Sequence, residues 1–423
     1  MGKENILLIA VKKPDQLDHH FHSSLEELKS LSQTAGGVVK EVVTQNRQHI
    51  HPATYIGSGK VEEIRTLIDE LAIDLVISND ELSSGQLRNL TDLLGVRLID
   101  RSQLILDIFA QRAQTKEGQL QVELAQLEYM LPRLRGQGVE LSRLGAGIGT
   151  RGPGETKLET DQRYIRRRIA DIKRNLAKVV EQRKQYRKRR KLNQVFQIAI
   201  VGYTNAGKST IFNRLTSSQS LEEDRLFATL DPLTRQIQLP SGFKALITDT
   251  VGFIQDLPTS LIAAFRSTLE EVTEADFILH VVDGSHPDHV QHQQTVIKLL
   301  EELEAHTIPT LTVYNKKDLM DEIVIPSNHP SIVISAYDTS DLTSLVEMIE
   351  KILIEQWHAY MITLKPEDAK ILYQLDHESI VTKKAFDEEN NLYLIQGYMR
   401  KEHPLYQLLL EKEKQNHGDR QNS

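Results

Sequence analysis

Residues 1 to about 102 alternate short apolar runs with amphipathic stretches. Ile6–Val11 reads as a strand, Ser24–Gln33 as a helix and Val38–Thr44 as a strand. Val61–Leu71 is then helical, Leu75–Ser78 a strand, Ser84–Leu94 a helix and Val96–Ile99 a strand. Alternation between these two periods predicts a small α/β domain over 1–102 with a mostly parallel sheet, because parallel neighbours need a crossover between them.

From Ser102 the period becomes three and four. Leu106, Phe109, Ala113, Leu120, Leu124, Leu127 and Leu131 form one stripe, with Lys116 as a polar interruption and Pro132 as its expected end. Leu158, Ile165, Ile169, Ile172, Leu176 and Val179 form a second. Two seams separated by one loop predict an antiparallel helical hairpin over 103–193. A first arm of about 30 residues would be roughly 45 Å long. The tip, 133–154, holds Gly136, Gly138, Gly145, Gly147, Gly149, Gly152 and Gly154 beside Arg133, Arg135, Arg143 and Arg151. It reads either as a linker or as a phosphate-contacting finger, since glycines admit close backbone approach and arginines grip phosphates bidentately.

Strand-like runs return at Val195–Val201, Ala245–Thr248, Phe277–Val282, Pro309–Tyr314 and Ile332–Ile334, separated by helical segments. They predict a doubly wound domain over 194–357. In a tail domain over 358–423, Met361–Leu364, Ile380–Ala385 and Leu392–Gln396 read as strands, the last two joined around Asn390-Asn391. The last residues, 417–423, read as disordered.

Composition narrows the class. The chain has 423 residues, 39% hydrophobic and 26% charged, so several soluble domains are expected. It has no cysteine, which excludes disulfides and thiolate-bound metals and fits a reducing cytoplasm. No run approaches a membrane span or a signal-peptide core, so at most a peripheral membrane contact is expected. The net charge of −8 hides an asymmetry: Arg163 to Lys191 holds fourteen basic residues against Asp171 and Glu181. A basic rod in an acidic chain is expected to meet an anionic partner. Arg166, Arg167, Lys173 and Arg174 are its candidate contacts, although the run Arg187–Lys191 also reads as a solvated helix end.

The chemistry lies in the doubly wound domain. Gly202-Tyr203-Thr204-Asn205-Ala206-Gly207-Lys208-Ser209, followed by Thr210, is a phosphate-binding loop placed after a strand and before a helix. Backbone N–H groups would wrap the β-phosphate, Lys208 would reach the β- and γ-phosphates, and Ser209 would ligate Mg²⁺. Asp249-Thr250-Val251-Gly252 follows a second strand; Asp249 would hold the ion and the Gly252 N–H the γ-phosphate. Phe227-Ala228-Thr229 lies where a mobile threonine would cap the ion, with Thr234 as the alternative to Thr229.

Asn315-Lys316-Lys317-Asp318 selects the base. The Asp318 carboxylate can accept from guanine N1–H and the 2-amino group, which adenine does not offer there. Asn315 would support the loop, the Lys316 stem would cover the ring, and Ser335-Ala336 would complete the pocket with the Ala336 N–H aimed at O6. Together these imply GTP binding and Mg²⁺-dependent hydrolysis by positioning and electrostatics. Phe253 stands where a water-orienting Gln is common, so slow intrinsic hydrolysis and stimulation by a partner are expected. Asn205 raises the further hypothesis of a K⁺ ion beside the phosphates.

The expected fold class is therefore α/β. A P-loop GTPase domain with a doubly wound, mostly parallel sheet follows a small α/β domain and a long antiparallel helical hairpin, and precedes a small α+β tail domain.

Several segments together resemble the HflX family of ribosome-associated GTPases. They are Tyr55-Ile56-Gly57-Ser58-Gly59-Lys60, the finger continuing through Arg151-Gly152-Pro153-Gly154-Glu155-Thr156-Lys157-Leu158-Glu159-Thr160-Asp161, Phe227-Ala228-Thr229-Leu230-Asp231-Pro232 and Asp249-Thr250-Val251-Gly252-Phe253-Ile254. The resemblance implies binding to the large ribosomal subunit in the GTP state, separation of stalled ribosomes into subunits, and a finger reaching along ribosomal RNA. A monomer that does not bind DNA is expected.

Other motifs carry less. Gly57-Ser58-Gly59-Lys60 reads as a helix start more readily than as a second nucleotide loop, and His286, His289 and His292 as a solvated helix face rather than a metal site. Competing functions are a GTP-gated module for a protein or membrane partner, and a tRNA-modifying GTPase. The latter lacks any accompanying catalytic motif.

Overall fold

The computed structural model describes residues 3–134, 157–192, 195–216, 227, 232–254, 271–320, 325–326 and 328–409. The chain forms two compact units. The first holds residues 1–183 with 223–231 and 251–268; the second holds 184–222, 232–250 and 269–423. The doubly wound segment and the tail, read from sequence as separate, thus belong mostly to one unit.

In the first unit, β1 (Asn5–Lys12), α1 (Asp18–Thr34), β2 (Val38–Asn46), α2 (Ser58–Leu71), β3 (Leu75–Ser78), α3 (Ser84–Leu94) and β4 (Arg97–Asp100) alternate as expected. The sheet order is β2-β1-β3-β4, all parallel. Leu7, Leu8 and Ile9 in β1 are completely buried because β1 is a central strand covered on both faces. α3 opens with a capping box: Ser83 Oγ accepts from the Gln86 N–H, and Gln86 Oε1 accepts from the Ser83 N–H. α2 begins at Ser58 with Gly57 as its N-cap, and Lys60 pairs with Glu63. The glycines of that segment therefore open a helix.

The first arm of the hairpin differs from expectation. It consists of two helices, α4 (Arg101–Arg112) and α5 (Lys116–Leu134). Ala113 turns extended, and the Thr115 hydroxyl accepts from the Gly118 N–H at 3.0 Å, restarting the helix as an N-cap. Pro132 lies inside α5, which runs two residues past it. The most buried stripe of α5 is Gly118, Gln121, Val122, Ala125 and Tyr129, whereas the expected seam leucines are half-buried. α5 packs against α3 and α4, and that packing wins over leucine periodicity.

The second arm is α6 (Lys157–Leu192), with Ile165, Ile169 and Ile172 buried as the stripe predicts. Glu117 pairs with Arg183, and Glu128 with Lys173 at 2.8 Å, so the arms run antiparallel. Glu123 receives Arg168 through two bonds of 2.6 and 2.8 Å.

The second unit is built on β5 (Phe196–Gly202), α7 (Lys208–Thr216), β6 (Leu233–Gln238), β7 (Lys244–Asp249), β8 (Phe277–Asp283), α8 (His289–Glu302), β9 (Thr310–Asn315), β10 (Ser331–Val333) and α9 (Thr339–Gln356). Strand order is β10-β9-β8-β5-β7-β6, with only the edge strand β6 antiparallel. The chain winds from β5 to β7 on one side and to β8 on the other, which leaves a crevice at the end of β5. β6 is not legible in the sequence, since only Ile237 of its six residues is buried. The tail adds β11 (His358–Leu364), α10 (Ala369–Glu378), β12 (Ile380–Asp387) and β13 (Leu392–Met399), in order β11-β13-β12. Trp357 caps α9 and meets Phe196 and Phe243 edge-on at 5.6 and 5.2 Å. Ile380 joins the core of the larger sheet.

Candidate guanine-nucleotide site

β5 delivers the phosphate loop into its crevice, and two glycines are needed for the path. A Cβ on Gly202 would lie 2.2 Å from the Val281 carbonyl oxygen of β8. Gly207, at φ +92°, would place a Cβ 2.1 Å from Asn315 Nδ2. Asn205 also takes a positive φ, +59°. α7 then starts at Lys208, so its N-terminus faces the loop and favours an anion.

Lys208 is 6% exposed and donates to the Tyr203 carbonyl at 2.7 Å. Burial of its ammonium pushes its pKa down to about 8, opposed in part by Asp249. A bound triphosphate would restore the charge, so binding above pH 8 takes up a proton. Nucleotide affinity is therefore expected to be flat below about pH 8 and to fall as pH rises through it. Calorimetry at pH 8.5 in two buffers of different ionisation enthalpy measures that uptake. Equal apparent enthalpies, or identical results with Lys208→Arg, would refute it.

Ser209 Oγ donates to Asp249 Oδ2 at 2.7 Å, and Asp249 is 1% exposed at the end of β7. A hydroxyl and a carboxylate held together beside a phosphate loop form a hard-oxygen donor pair, which fits Mg²⁺. Thr250 secures this end of β7 by donating to the Ile200 carbonyl at 2.6 Å. Val251, Gly252 and Phe253 are buried. The ring of Phe253 is thus packed away, as an apolar residue must be, and cannot hold a water.

The base motifs are joined to the phosphate loop by one buried amide. Asn315, 2% exposed, donates to the Ala206 carbonyl at 2.9 Å and accepts from the Ala336 N–H at 3.0 Å. The Ala336 N–H, expected to meet guanine O6, lies on Asn315 Oδ1, because the amide fixed on Ala206 presents its carbonyl there. Ser335 Oγ donates to Asp318 Oδ1 at 2.6 Å and orients that carboxylate. Two partners escaped the sequence reading. Asp341 accepts from the Ser335 N–H at 2.8 Å, and Asp283 pairs with Lys316 at 2.7 Å. No motif flags either one.

Other candidates fall elsewhere. Phe227 is 2% exposed and meets Phe109 edge-on at 4.7 Å, so its ring is a core group rather than a nucleotide contact. The energy of burying an aromatic ring outweighs the cost of its positive φ. Thr234 lies in β6 with its hydroxyl 2.9 Å from that of Thr248. Ala228 and Thr229 lie outside the described residues, as do Arg135, Arg143 and Arg151. Arg133 does not face solvent: it bonds Asp100 at 3.1 Å, Glu81 at 3.2 Å and the Leu82 carbonyl at 3.0 Å, over the Tyr129 ring. Among the described residues no cluster could hold a metal through three His or acidic groups, and no helix is long and apolar enough to cross a membrane.

Three protein families match successive segments of the chain. Residues 22–110 match a family described as GTP-binding GTPase N-terminal, 112–190 one described as GTP-binding GTPase Middle Region, and 197–316 one described as 50S ribosome-binding GTPase. GTPase HflX of Alkalihalophilus pseudofirmus is 53% identical over 410 residues, 97% of this chain and 97% of the relative. GTPase HflX of Escherichia coli is 40% identical over 376 residues, 88% of each. A crystal structure of a GTP-binding protein from Sulfolobus solfataricus in complex with GDP is 23% identical, covers 82% of this chain and 98% of its own, and has a TM-score of 0.45. With identity of this degree along nearly its whole length, the chain belongs to the HflX family of GTPases.

Proposed function

We propose that this GTPase binds the large ribosomal subunit in its GTP state and acts in separating stalled or stressed ribosomes into subunits. The observation that carries the reading is the charge on α6. Arg166 and Arg167 are exposed and make no ion pair among the described residues. Lys173 and Arg174 are 57% and 76% exposed, although paired with Glu128 and Asp171. Phosphate contacts supply most of the affinity for a large folded RNA, and a rod of this sign suits that surface. The description of the matched family as a 50S ribosome-binding GTPase supports the choice of partner. In this reading the tip with Arg135, Arg143 and Arg151 reaches along ribosomal RNA, and the protein works as a cytoplasmic monomer.

In this proposal Ser209 and Asp249 would hold Mg²⁺, with Thr229 as the expected third ligand. When bound, the ion would neutralise charge on the β- and γ-phosphates. Lys208 grips the same phosphates, the Gly252 N–H contacts the γ-phosphate, and an in-line water attacks. Without a side chain to orient that water, the intrinsic rate is slow and the ribosome is the stimulating partner. K⁺ is left out, because only the residue type of Asn205 speaks for it.

The test is co-sedimentation with purified large subunits, comparing a non-hydrolysable GTP analogue with GDP at fixed salt. Binding with the analogue alone supports the proposal. Absence of binding in both states would overturn the ribosomal role and favour a GTP-gated module for a protein or membrane partner. Replacing Arg166 and Arg167 together by Glu is expected to weaken binding and to reduce the slope of log K against log salt by about 1.5, two phosphate contacts' worth. An unchanged slope would remove these two residues from the RNA surface.

A further inference from the structure

The three histidines after β8 are not a solvated face. His292, in the first turn of α8, lies flat on the ring of Tyr203, with centroids 3.8 Å apart and planes 7° from parallel. The His286 ring lies 4.5 Å from that of His292, tilted by 42°, and its Nδ1 accepts from the Asp288 N–H at 3.1 Å. Tyr203 is the second residue of the phosphate loop, is 6% exposed, and holds Lys208 through its carbonyl. A ring fixed by a stack thus carries the carbonyl that sets the position of the ammonium.

The same segment supports the other end of the nucleotide. Asp283, where β8 ends, pairs with Lys316, whose stem would cover the guanine ring. Asp283 is itself held by the Ser285 N–H and hydroxyl at 3.1 and 2.6 Å. The Gly284 N–H donates to the Asn315 carbonyl at 3.0 Å. Ten residues, 283–292, therefore touch the phosphate loop at one end and the base motif at the other.

We propose that His292 is a positioning residue for GTP and GDP: by stacking on Tyr203 it fixes the phosphate loop, and so slows nucleotide release. The inference concerns the nucleotide site alone and is independent of the ribosomal role. Burial keeps the imidazole neutral, with His286 beside it working in the same direction and Asp283 and Asp288 opposing. The contact is therefore a ring-on-ring stack and not a charge on a ring. An aromatic pair of this kind is worth about threefold to tenfold in an equilibrium or a rate.

The experiment measures release of a fluorescent GDP by stopped flow from the full chain and three variants. His292→Ala is expected to release GDP about threefold to tenfold faster. His292→Phe, which keeps the stack, is expected to return release to within about twofold of the parent. Tyr203→Ala and the Tyr203→Ala, His292→Ala double variant should release at equal rates, because the second change removes a contact already lost. Unchanged release in His292→Ala would overturn the proposal, as would effects of the two changes that multiply in full. Thermal melts of the nucleotide-free proteins accompany the kinetics. A His292→Ala melt far below the parent, with no rescue by Phe, would show a general packing role and overturn it too.

Discussion

Asp318→Asn is expected to change the preferred nucleotide from GTP to XTP. The Asp318 carboxylate offers only acceptors, which match the N1–H and 2-amino donors of guanine. An amide keeps the size and can still accept from the Ser335 hydroxyl, now at 2.6 Å. Its carbonyl also suits N1–H, but its NH₂ faces the guanine amino group donor to donor. Xanthine carries an oxygen at that position and accepts. Losing a matched pair and setting donor against donor costs a factor of about 10⁴ in recognition. Displacement of fluorescent GDP by unlabelled GTP and XTP reads both affinities. A variant that still preferred GTP would mean that the base is recognised elsewhere.

The second large effect concerns stability. Asp100 is fully buried where β4 becomes α4, and it collects four donors. They are the Leu82 N–H at 3.1 Å, the Gln103 N–H at 2.9 Å, the Tyr129 hydroxyl at 2.7 Å and Arg133 at 3.1 Å. Two of these belong to α5, so the carboxylate pins the base of the first arm to the β4–α4 junction. Asp100→Ala would leave a mostly buried guanidinium with only the half-exposed Glu81 as counter-charge, and a buried hydroxyl without an acceptor. Removing one member of such a group costs about 3–5 kcal/mol. Urea unfolding followed by circular dichroism measures the loss. A change below about 1 kcal/mol would mean that Glu81 and the Leu82 carbonyl suffice to hold Arg133.

Reading the sequence succeeded where local pattern and final packing agree. The central parallel strands β1, β3, β5 and β8 are short, mostly apolar runs, and Leu75–Ser78 and Ser84–Leu94 are where the pattern placed them. The phosphate loop and the base motif were legible because their chemistry demands fixed residues at fixed spacing, and Asn315 stands between them as that spacing implies. The failures share a cause. β6 is an edge strand whose exposed side chains carry no apolar signal. The arm breaks at Ala113 because a single threonine cap outweighs a continuing leucine stripe. Arg133 and Phe227 were assigned by neighbourhood in the chain, yet each is held by a long-range partner, Asp100 and Phe109. His292 looked solvated for the same reason: only the folded chain brings Tyr203 to it.

Trp357 is the single tryptophan of the chain, and it belongs to the second unit. Its indole lies among Phe196, Phe243 and the end of α9, so its emission reports only whether that aromatic seam is intact. The first unit is silent at this wavelength, while helices of both units contribute to circular dichroism. The molecule therefore carries a built-in test of cooperativity: two probes that coincide on unfolding describe one transition, and two that separate describe two. Under Asp100→Ala the optical signals are expected to part, with ellipticity falling at lower urea and fluorescence holding its midpoint.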